Sequence, residues 1–133
     1  GLAAVRRAGK DLTIVTCGGM VLMVDEAVEK LKDKGIDVEI VDLRSLAPLD
    51  KETILKSVAK TGRAMVVDEG PVVGGVTSEI AALIQENLFS DLKGPVARVG
   101  SQPLPPPHSP PLVQAIVPSV DGIISAALDL VEG

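Results

Sequence analysis

The chain has 133 residues, which suits one domain over residues 1–133, and its net charge of −5 disfavours nucleic acid and anionic membrane surfaces as partners. Apolar residues make up 46% of the chain but include one Phe and no Trp or Tyr, so the aromatic anchors common in protein interfaces are missing. A single cysteine excludes an internal disulfide, and no apolar run approaches the roughly 20 residues that cross a bilayer, so we expect a soluble, intracellular protein.

The first third of the chain predicts strands that flank a helix. Residues 12–17 are rich in β-branched side chains and end at two glycines, which is typical of a buried strand. A helical pattern of apolar residues follows and ends at Gly35, and residues 38–43 predict a second strand. Residues 3–7 would add an antiparallel edge strand, although propensity alone does not establish it.

The middle of the chain repeats this alternation. Asp50 is the expected N-cap of a helix that ends at Gly62. Residues 64–68 then predict a strand, residues 77–88 a helix and residues 96–99 a further strand. Four strands alternating with helices indicate an α/β fold with a largely parallel sheet and helices on both faces.

A proline-rich segment precedes the last predicted helix. Residues 101–111 contain six prolines, which remove backbone donors and favour an extended chain, so this segment is expected to be a stiff surface connector. Its P-x-x-P spacings also suit a peptide-recognition ligand, although a structural strap is the commoner use. Residues 119–131 predict an amphipathic helix that returns an apolar face to the core.

A glycine-rich loop joins the predicted strand 64–68 to the helix 77–88. Gly70, Gly75 and Thr77 fill most of the phosphate-loop pattern G-x-x-x-x-G-K-[ST], but Val76 stands at the lysine position. Backbone N–H groups at the helix start could still hold an anion. A tight strand-to-helix turn with close packing explains the glycines equally well, and we favour that interpretation.

A second candidate site depends on where the strand 12–17 lies. If this first parallel strand occupies the centre of the sheet, its end and the end of strand 64–68 form a crevice at the topological switch point. Cys17 would then be a reactive thiol at a helix N-terminus, or simply a small residue at a strand end, which is the commoner case. The candidate crevice residues are Cys17, Gly18, Gly19, Asp68, Glu69 and Gly70.

Catalytic and metal-binding patterns find little support in the sequence. His108 is the only histidine and lies in the proline segment, so neither a multi-histidine metal site nor a catalytic triad can form without it. A loop histidine facing solvent is the simpler interpretation. We therefore expect no catalytic residue and no metal ligand in this chain.

Four motifs in order carry a resemblance to a known family. They are D-L-T-I-V-T at residues 11–16, V-D-L-R-S-L-A-P-L-D at 41–50, V-V-D-E at 66–69 with the glycine pair at 74–75, and P-H-S-P-P-L at 107–112. Together they resemble the C-terminal domain of the beta subunit of thiamine-diphosphate-dependent 2-oxoacid dehydrogenases, which act on pyruvate, branched-chain 2-oxoacids or acetoin. The same type of domain closes transketolases.

The resemblance implies a three-layer α/β/α sandwich with a five-stranded mixed sheet in the order 1-3-2-4-5, the first strand being antiparallel. In such enzymes thiamine diphosphate and magnesium lie between two other domains, so this chain is expected to bind no cofactor. The chain lacks the G-D-G motif and the pyrimidine-binding domain, and we expect it to be a fragment of a longer beta subunit, or one piece of a split enzyme, that is inactive alone. The implied location is the cytoplasm, or the mitochondrial matrix in a eukaryote.

The implied role is assembly. Such a domain helps a beta subunit to associate with the alpha subunit and a second beta subunit, and it offers a surface to the peripheral subunit-binding domain of the lipoyl acyltransferase. Pro106, Pro107, His108 and Ser109 are the candidate interface residues, although relatives usually carry an aromatic residue where His108 stands. The alternatives are a transketolase-type C-terminal domain, a small-ligand module that uses the crevice, or interaction through the proline strap.

Overall fold

A computed structural model describes residues 2–101 and 118–133 of the chain. The strands are β1 Ala4–Arg7, β2 Leu12–Thr16, β3 Val38–Asp42, β4 Ala64–Pro71 and β5 Ala97–Ser101. The helices are α1 Met20–Lys32, α2 Lys51–Thr61, α3 Val76–Leu88 and α4 Val120–Glu132, with a short 3-10 turn at Phe89–Asp91. Within the described ranges, no helix has the length and apolar character needed to cross a membrane.

The five strands form one mixed sheet in the order β1-β3-β2-β4-β5. β1 runs antiparallel to β3, while β3, β2, β4 and β5 run parallel to one another. The predicted strand order and the antiparallel edge strand are therefore confirmed. β2 occupies the centre of the sheet, and its end marks the point where the chain turns first towards β3 and later towards β4.

Alternate residues of the central strands supply two separate cores, as the two-residue period of a strand requires. Ile14 packs with α1 and α4 on one face, where Val28 and Ile123 are buried. Val15 packs with α2 and α3 on the other face, where Ile54 and Ile84 are buried. The predicted three-layer α/β/α sandwich is confirmed, and β2 is buried along its whole length because helices cover both faces.

Local signals in the sequence account for several helix ends. Oδ1 of Asp50 accepts a hydrogen bond from the Thr53 backbone N–H at 3.1 Å, as expected of an N-cap. Gly62 ends α2 with φ +76°, and its N–H bonds to the Val58 carbonyl. The helix α1 ends at Lys32, and the chain turns at Gly35, where φ is +81°.

One strand is longer than the sequence indicates. The pattern predicts an end at residue 68, whereas β4 continues to Pro71. Pro71 faces Ser101 of β5, and the Val72 N–H bonds to the Ser101 carbonyl at 2.9 Å, so pairing with β5 extends the strand. This extension places the glycine loop directly beside the sheet edge.

Candidate functional site

The predicted crevice lies where β2 and β4 end side by side. Thr16 pairs with Val67 in the parallel ladder, so Cys17 and Asp68 are neighbours. The Cys17 thiol donates to Asp68 Oδ1 at 3.5 Å, and the Gly70 N–H donates to Asp68 Oδ2 at 3.1 Å. The structure therefore brings Cys17, Asp68 and Gly70 together, as the sequence predicts, although ligand binding there stays a prediction.

Gly18 and Gly19 turn the chain from β2 into α1. Gly18 has φ +60°, a left-handed conformation that favours glycine, and Gly19 is the N-cap of the helix. Apart from its chain neighbours, neither glycine has an atom of the described residues within 4 Å of the place where a side chain would begin. The pair therefore serves the turn and leaves open space beside it.

The Cys17 thiol is held in its neutral form. Burial raises the pKa of this thiol most, followed by the charge of Asp68 and its hydrogen bond, and the pKa reaches about 11. Asp42 and Glu69 add smaller effects in the same direction. Burial and the neighbouring carboxylates therefore both disfavour the thiolate, which favours the interpretation of Cys17 as a small residue at a strand end, and its role stays a prediction.

The crevice does not fit a magnesium-bound diphosphate. Asp42, Asp68 and Glu69 all act electrostatically on the same thiol, so negative charge surrounds the position a phosphate would need. Across residues 2–101 and 118–133, no group of three His, Cys, Asp or Glu side chains is placed to hold a metal ion. These crevice residues therefore lack the positive charge that a diphosphate needs, and the absence of a cofactor site in this chain stays a prediction.

The glycine loop is explained by its own geometry. Gly74 has φ +71°, and a side chain at Gly75 would begin 2.1 Å from the Pro71 carbonyl oxygen. The N–H groups of Ser78 and Glu79 both bond to the Gly75 carbonyl, as in the first turn of any helix. These contacts favour turn and packing chemistry for the glycine pair.

Polar groups stabilise the loop against β5. The Ser78 hydroxyl donates to the Val72 carbonyl at 2.7 Å, and Arg98 Nη1 donates to the same carbonyl at 3.0 Å. Thr77 is fully buried at the start of α3, and its hydroxyl has no hydrogen-bond partner among the described residues. Ser78 from α3 and Arg98 from β5 therefore both hold the loop through the Val72 carbonyl.

A cavity lined mainly by apolar residues, with Glu79 also in its wall, joins the glycine loop to the D-L-R-S-L-A-P-L-D run, and the sequence did not indicate that these segments meet. The cavity has a volume of about 440 Å³ and is lined by Leu46, Leu49, Gly74, Val76 and Ile80, among others. The nearby Leu46 and Val73 side chains are exposed. This surface arises only in the folded chain, because two segments separated by about one strand and one helix form it.

A buried polar cluster, which was not predicted from the sequence, lies under α2. Glu39 is only 2% exposed and accepts hydrogen bonds from the Gly9 N–H, the Ser57 hydroxyl and the Lys60 ammonium group. Thr13 continues the chain of hydrogen bonds from Ser57, at 2.9 Å. The one available signal was a glutamate between the apolar residues Val38 and Ile40 of β3.

The candidate interface residues Pro106, Pro107, His108 and Ser109 lie outside the described residues, so their role as an interface stays a prediction.

Comparison with known proteins gives a consistent family. The family model of the C-terminal domain of transketolase matches residues 1–123. The mitochondrial pyruvate dehydrogenase subunit beta-1 of Arabidopsis thaliana is 42% identical over 96% of this chain and 35% of its own. The 2-oxoisovalerate dehydrogenase subunit beta of Bacillus subtilis is 36% identical over 99% of this chain and 41% of its own.

Two further matches agree with these. The beta subunit of an acetoin oxidoreductase from Cupriavidus necator is 41% identical over the whole chain and 39% of its own. A solved chain of a split-gene transketolase, an inactive beta4 tetramer, superposes with a TM-score of 0.79 at 28% identity, covering 98% of this chain and 41% of that one. The chain thus spans roughly two-fifths of the length of the relatives it matches.

Proposed function

The chain belongs to the transketolase C-terminal domain family, and on that premise we propose that it is the assembly domain of a beta subunit in a 2-oxoacid dehydrogenase. The parent enzyme would decarboxylate a 2-oxoacid with thiamine diphosphate and magnesium, while this domain would be non-catalytic and bind no cofactor. The family identified from the four sequence motifs is confirmed by the match over residues 1–123 and by the beta-subunit relatives.

The observation that carries this proposal is the share of this chain and of each relative that the matches cover. Beta subunits of pyruvate, 2-oxoisovalerate and acetoin enzymes each match at least 96% of this chain, yet the chain spans only 35–41% of each of them. A segment shared by enzymes with different substrates is better suited to a common structural task than to substrate choice. The acidic crevice at Cys17 and Asp68, which repels a diphosphate, supports a non-catalytic role.

The partners we propose follow from the same premise. They are an alpha subunit, a second beta subunit and the peripheral subunit-binding domain of a lipoyl acyltransferase. The names of the relatives support the first, because each is the beta subunit of an enzyme. The location we propose is the cytoplasm, or the mitochondrial matrix in a eukaryote, as for the Arabidopsis relative.

A transketolase-type enzyme is the second candidate for the parent protein. It is favoured by the structural match to the split-gene transketolase, at 28% identity. The three dehydrogenase and oxidoreductase subunits match at 36–42% identity, which favours the first candidate. The adjoining gene sequence would distinguish the dehydrogenase from the transketolase candidate, because the dehydrogenase needs an alpha subunit as a separate chain.

The assembly role can be tested in the full-length beta subunit. Deletion of the segment 1–133 should abolish its assembly with the alpha subunit, measured by sedimentation velocity, and its binding to the subunit-binding domain, measured by calorimetry. A full-length subunit with Ser125→Ala, an exposed change on α4, is the control expected to assemble normally. If the truncated subunit assembles and binds as the full-length one does, the assembly role is wrong.

The non-catalytic role needs its own measurement on the 133-residue chain. Thiamine diphosphate with magnesium should leave its melting temperature unchanged, because a ligand that binds only the folded state would raise that temperature. A saturable rise in melting temperature would contradict a domain without a cofactor site.

A further inference from the structure

A groove on the outer face of the molecule separates the edge strand β1 from the helix α2. It has a volume of about 330 Å³, at the lower end of the range typical of small-ligand sites. Ala3 and Val5 line it from the β1 side, while Lys56 and Lys60 line it from α2. The buried Glu39 of β3 lies between these walls.

The carboxylates at this groove already have their hydrogen bonds from the protein. Glu39 accepts three, from the Gly9 N–H, the Ser57 hydroxyl and Lys60. Asp50, near one end of the groove, also accepts three: one from the Ala3 N–H and two from the N–H and hydroxyl of Thr53. These two carboxylates therefore have little capacity left for a cationic ligand.

The lysines, by contrast, have unused donors. Among residues 2–101 and 118–133, Lys60 bonds only to Glu39, through one of the three N–H groups of its ammonium, which leaves two. Lys56 has no carboxylate within 4.0 Å in the part of the chain that the structure describes, and Glu52, one turn earlier, does not pair with it. Two lysines four residues apart on a helix repel each other, so an anion between them would be stabilising.

The charge along the groove is uneven. Lys56, Lys60 and Glu39 give the lining a net charge of +1. Asp50 lies six residues before Lys56, which is about 9 Å along the helix axis, and ten residues before Lys60. The lysine end of the groove is therefore positive, while the walls formed by Ala3 and Val5 are apolar.

We propose that this groove binds a small organic carboxylate with a short aliphatic chain. Its carboxylate contacts the ammonium groups of Lys56 and Lys60, and its aliphatic part packs against Ala3 and the half-exposed Val5. This site lies between β1 and α2, away from the crevice at the ends of β2 and β4. It does not depend on the assembly role of the domain.

The site can be tested by nuclear magnetic resonance on the isotope-labelled 133-residue chain. Butanoate should shift the amide signals of residues 3–5 and 53–60 in a saturable way. Butylammonium, which has the same chain and the opposite charge, should not shift them. Inorganic phosphate should bind more weakly than butanoate, because it cannot cover the apolar wall. Equal binding of phosphate would contradict a site for aliphatic carboxylates.

A matched pair of variants tests the role of Lys56. Lys56→Gln removes one charge-assisted contact and should weaken butanoate binding by about tenfold. Lys51→Gln makes the same change on the same helix but outside the groove, so it should leave the affinity unchanged. Both residues are exposed, so neither change should unfold the chain. The absence of saturable shifts in the unaltered chain, or equal affinities in the two variants, would overturn the proposal.

Discussion

The thiol of Cys17 donates to the carboxylate of Asp68, with 3.5 Å between Sγ and Oδ1. The two residues are 51 positions apart in the sequence, and the parallel pairing of β2 with β4 brings them together. Burial, and then this carboxylate, raise the pKa of the thiol from 9.0 to about 11. A cysteine just before a helix is therefore protonated, although a helix N-terminus by itself would lower the pKa of its thiol.

We predict slow alkylation of Cys17. At about pH 8 its thiolate fraction should be about a hundredfold below that of an ordinary cysteine, because its pKa is higher by about two units. The rate of reaction with iodoacetamide should rise to a midpoint near pH 11. An unstructured cysteine peptide is the reference, and a midpoint at or below pH 9 in the folded chain would contradict this prediction.

The same shift predicts a loss of stability in alkali. A group whose folded pKa is raised contributes stability that is present below the unfolded pKa, near 9, and is lost as the pH rises towards 11. Cys17→Ala should remove this part of the loss. Urea unfolding of both proteins at about pH 7 and about pH 10.5 measures it, and an identical loss in both would argue against a perturbed thiol.

Asp68→Asn should lower the pKa of Cys17. The substitution removes the negative charge but keeps an oxygen that can accept from the Gly70 N–H. Because burial is the largest cause of the shift, the pKa should fall only part of the way towards its ordinary value. Glu86→Gln, an exposed change on α3, is the control expected to leave the alkylation midpoint in place.

Ser57→Ala should destabilise the domain by about 1–3 kcal/mol, the usual cost of leaving buried polar groups without a partner. The Ser57 hydroxyl lies 2.6 Å from Glu39 Oε2 and 2.9 Å from the Thr13 hydroxyl, and all three residues are buried. Ser125→Ala, also on a helix but exposed, should change the free energy of unfolding by less than about 0.5 kcal/mol. Equal effects of the two substitutions on the free energy of unfolding would contradict a stabilising role for this network.

Glu39 should make the domain sensitive to acid. Burial raises its pKa, but hydrogen bonds from Lys60, Ser57 and Gly9 outweigh that effect, and the pKa is lowered from 4.5. Stability from a lowered pKa is present above the unfolded value and is lost as the pH falls through the folded one. Glu39→Gln should therefore lose less stability than the unaltered chain between about pH 6 and pH 3. Glu52→Gln, on an exposed glutamate of α2, should behave as the unaltered chain.

The sequence was sufficient for the order of the elements. The β-branched run that became β2 and the caps Asp50 and Gly62 are local signals, and the structure places each as predicted. The strand order came from the family motifs, since local patterns do not determine which strands are neighbours. The crevice then followed, because a central first parallel strand requires Cys17 to lie beside Asp68.

Contacts between distant segments were beyond the reach of the sequence. The rise in the pKa of Cys17 depends first on burial and then on carboxylates from the two strands beside β2, Asp68 of β4 and Asp42 of β3. Glu39 is stabilised by groups 18 to 30 positions away, and nothing in a local pattern indicates that they converge. The pKa of Cys17 and the hydrogen bonds of Glu39 depend on how the strands and helices pack, which sequence periodicity does not predict.

The glycine loop gives the sharpest test of packing against ligand binding. Gly75→Ala should lower stability by about 1–3 kcal/mol, because its Cβ would lie 2.1 Å from the Pro71 carbonyl oxygen and the loop would have to move. Gly94→Ala is the matched control, since a Cβ there would have no atom of the described residues within 4 Å, apart from its chain neighbours, and should be tolerated. Thermal unfolding of both variants measures the difference. If Gly75→Ala leaves stability unchanged, close packing against Pro71 does not explain the glycine at this position. Anion binding at the start of α3 would then be the better explanation.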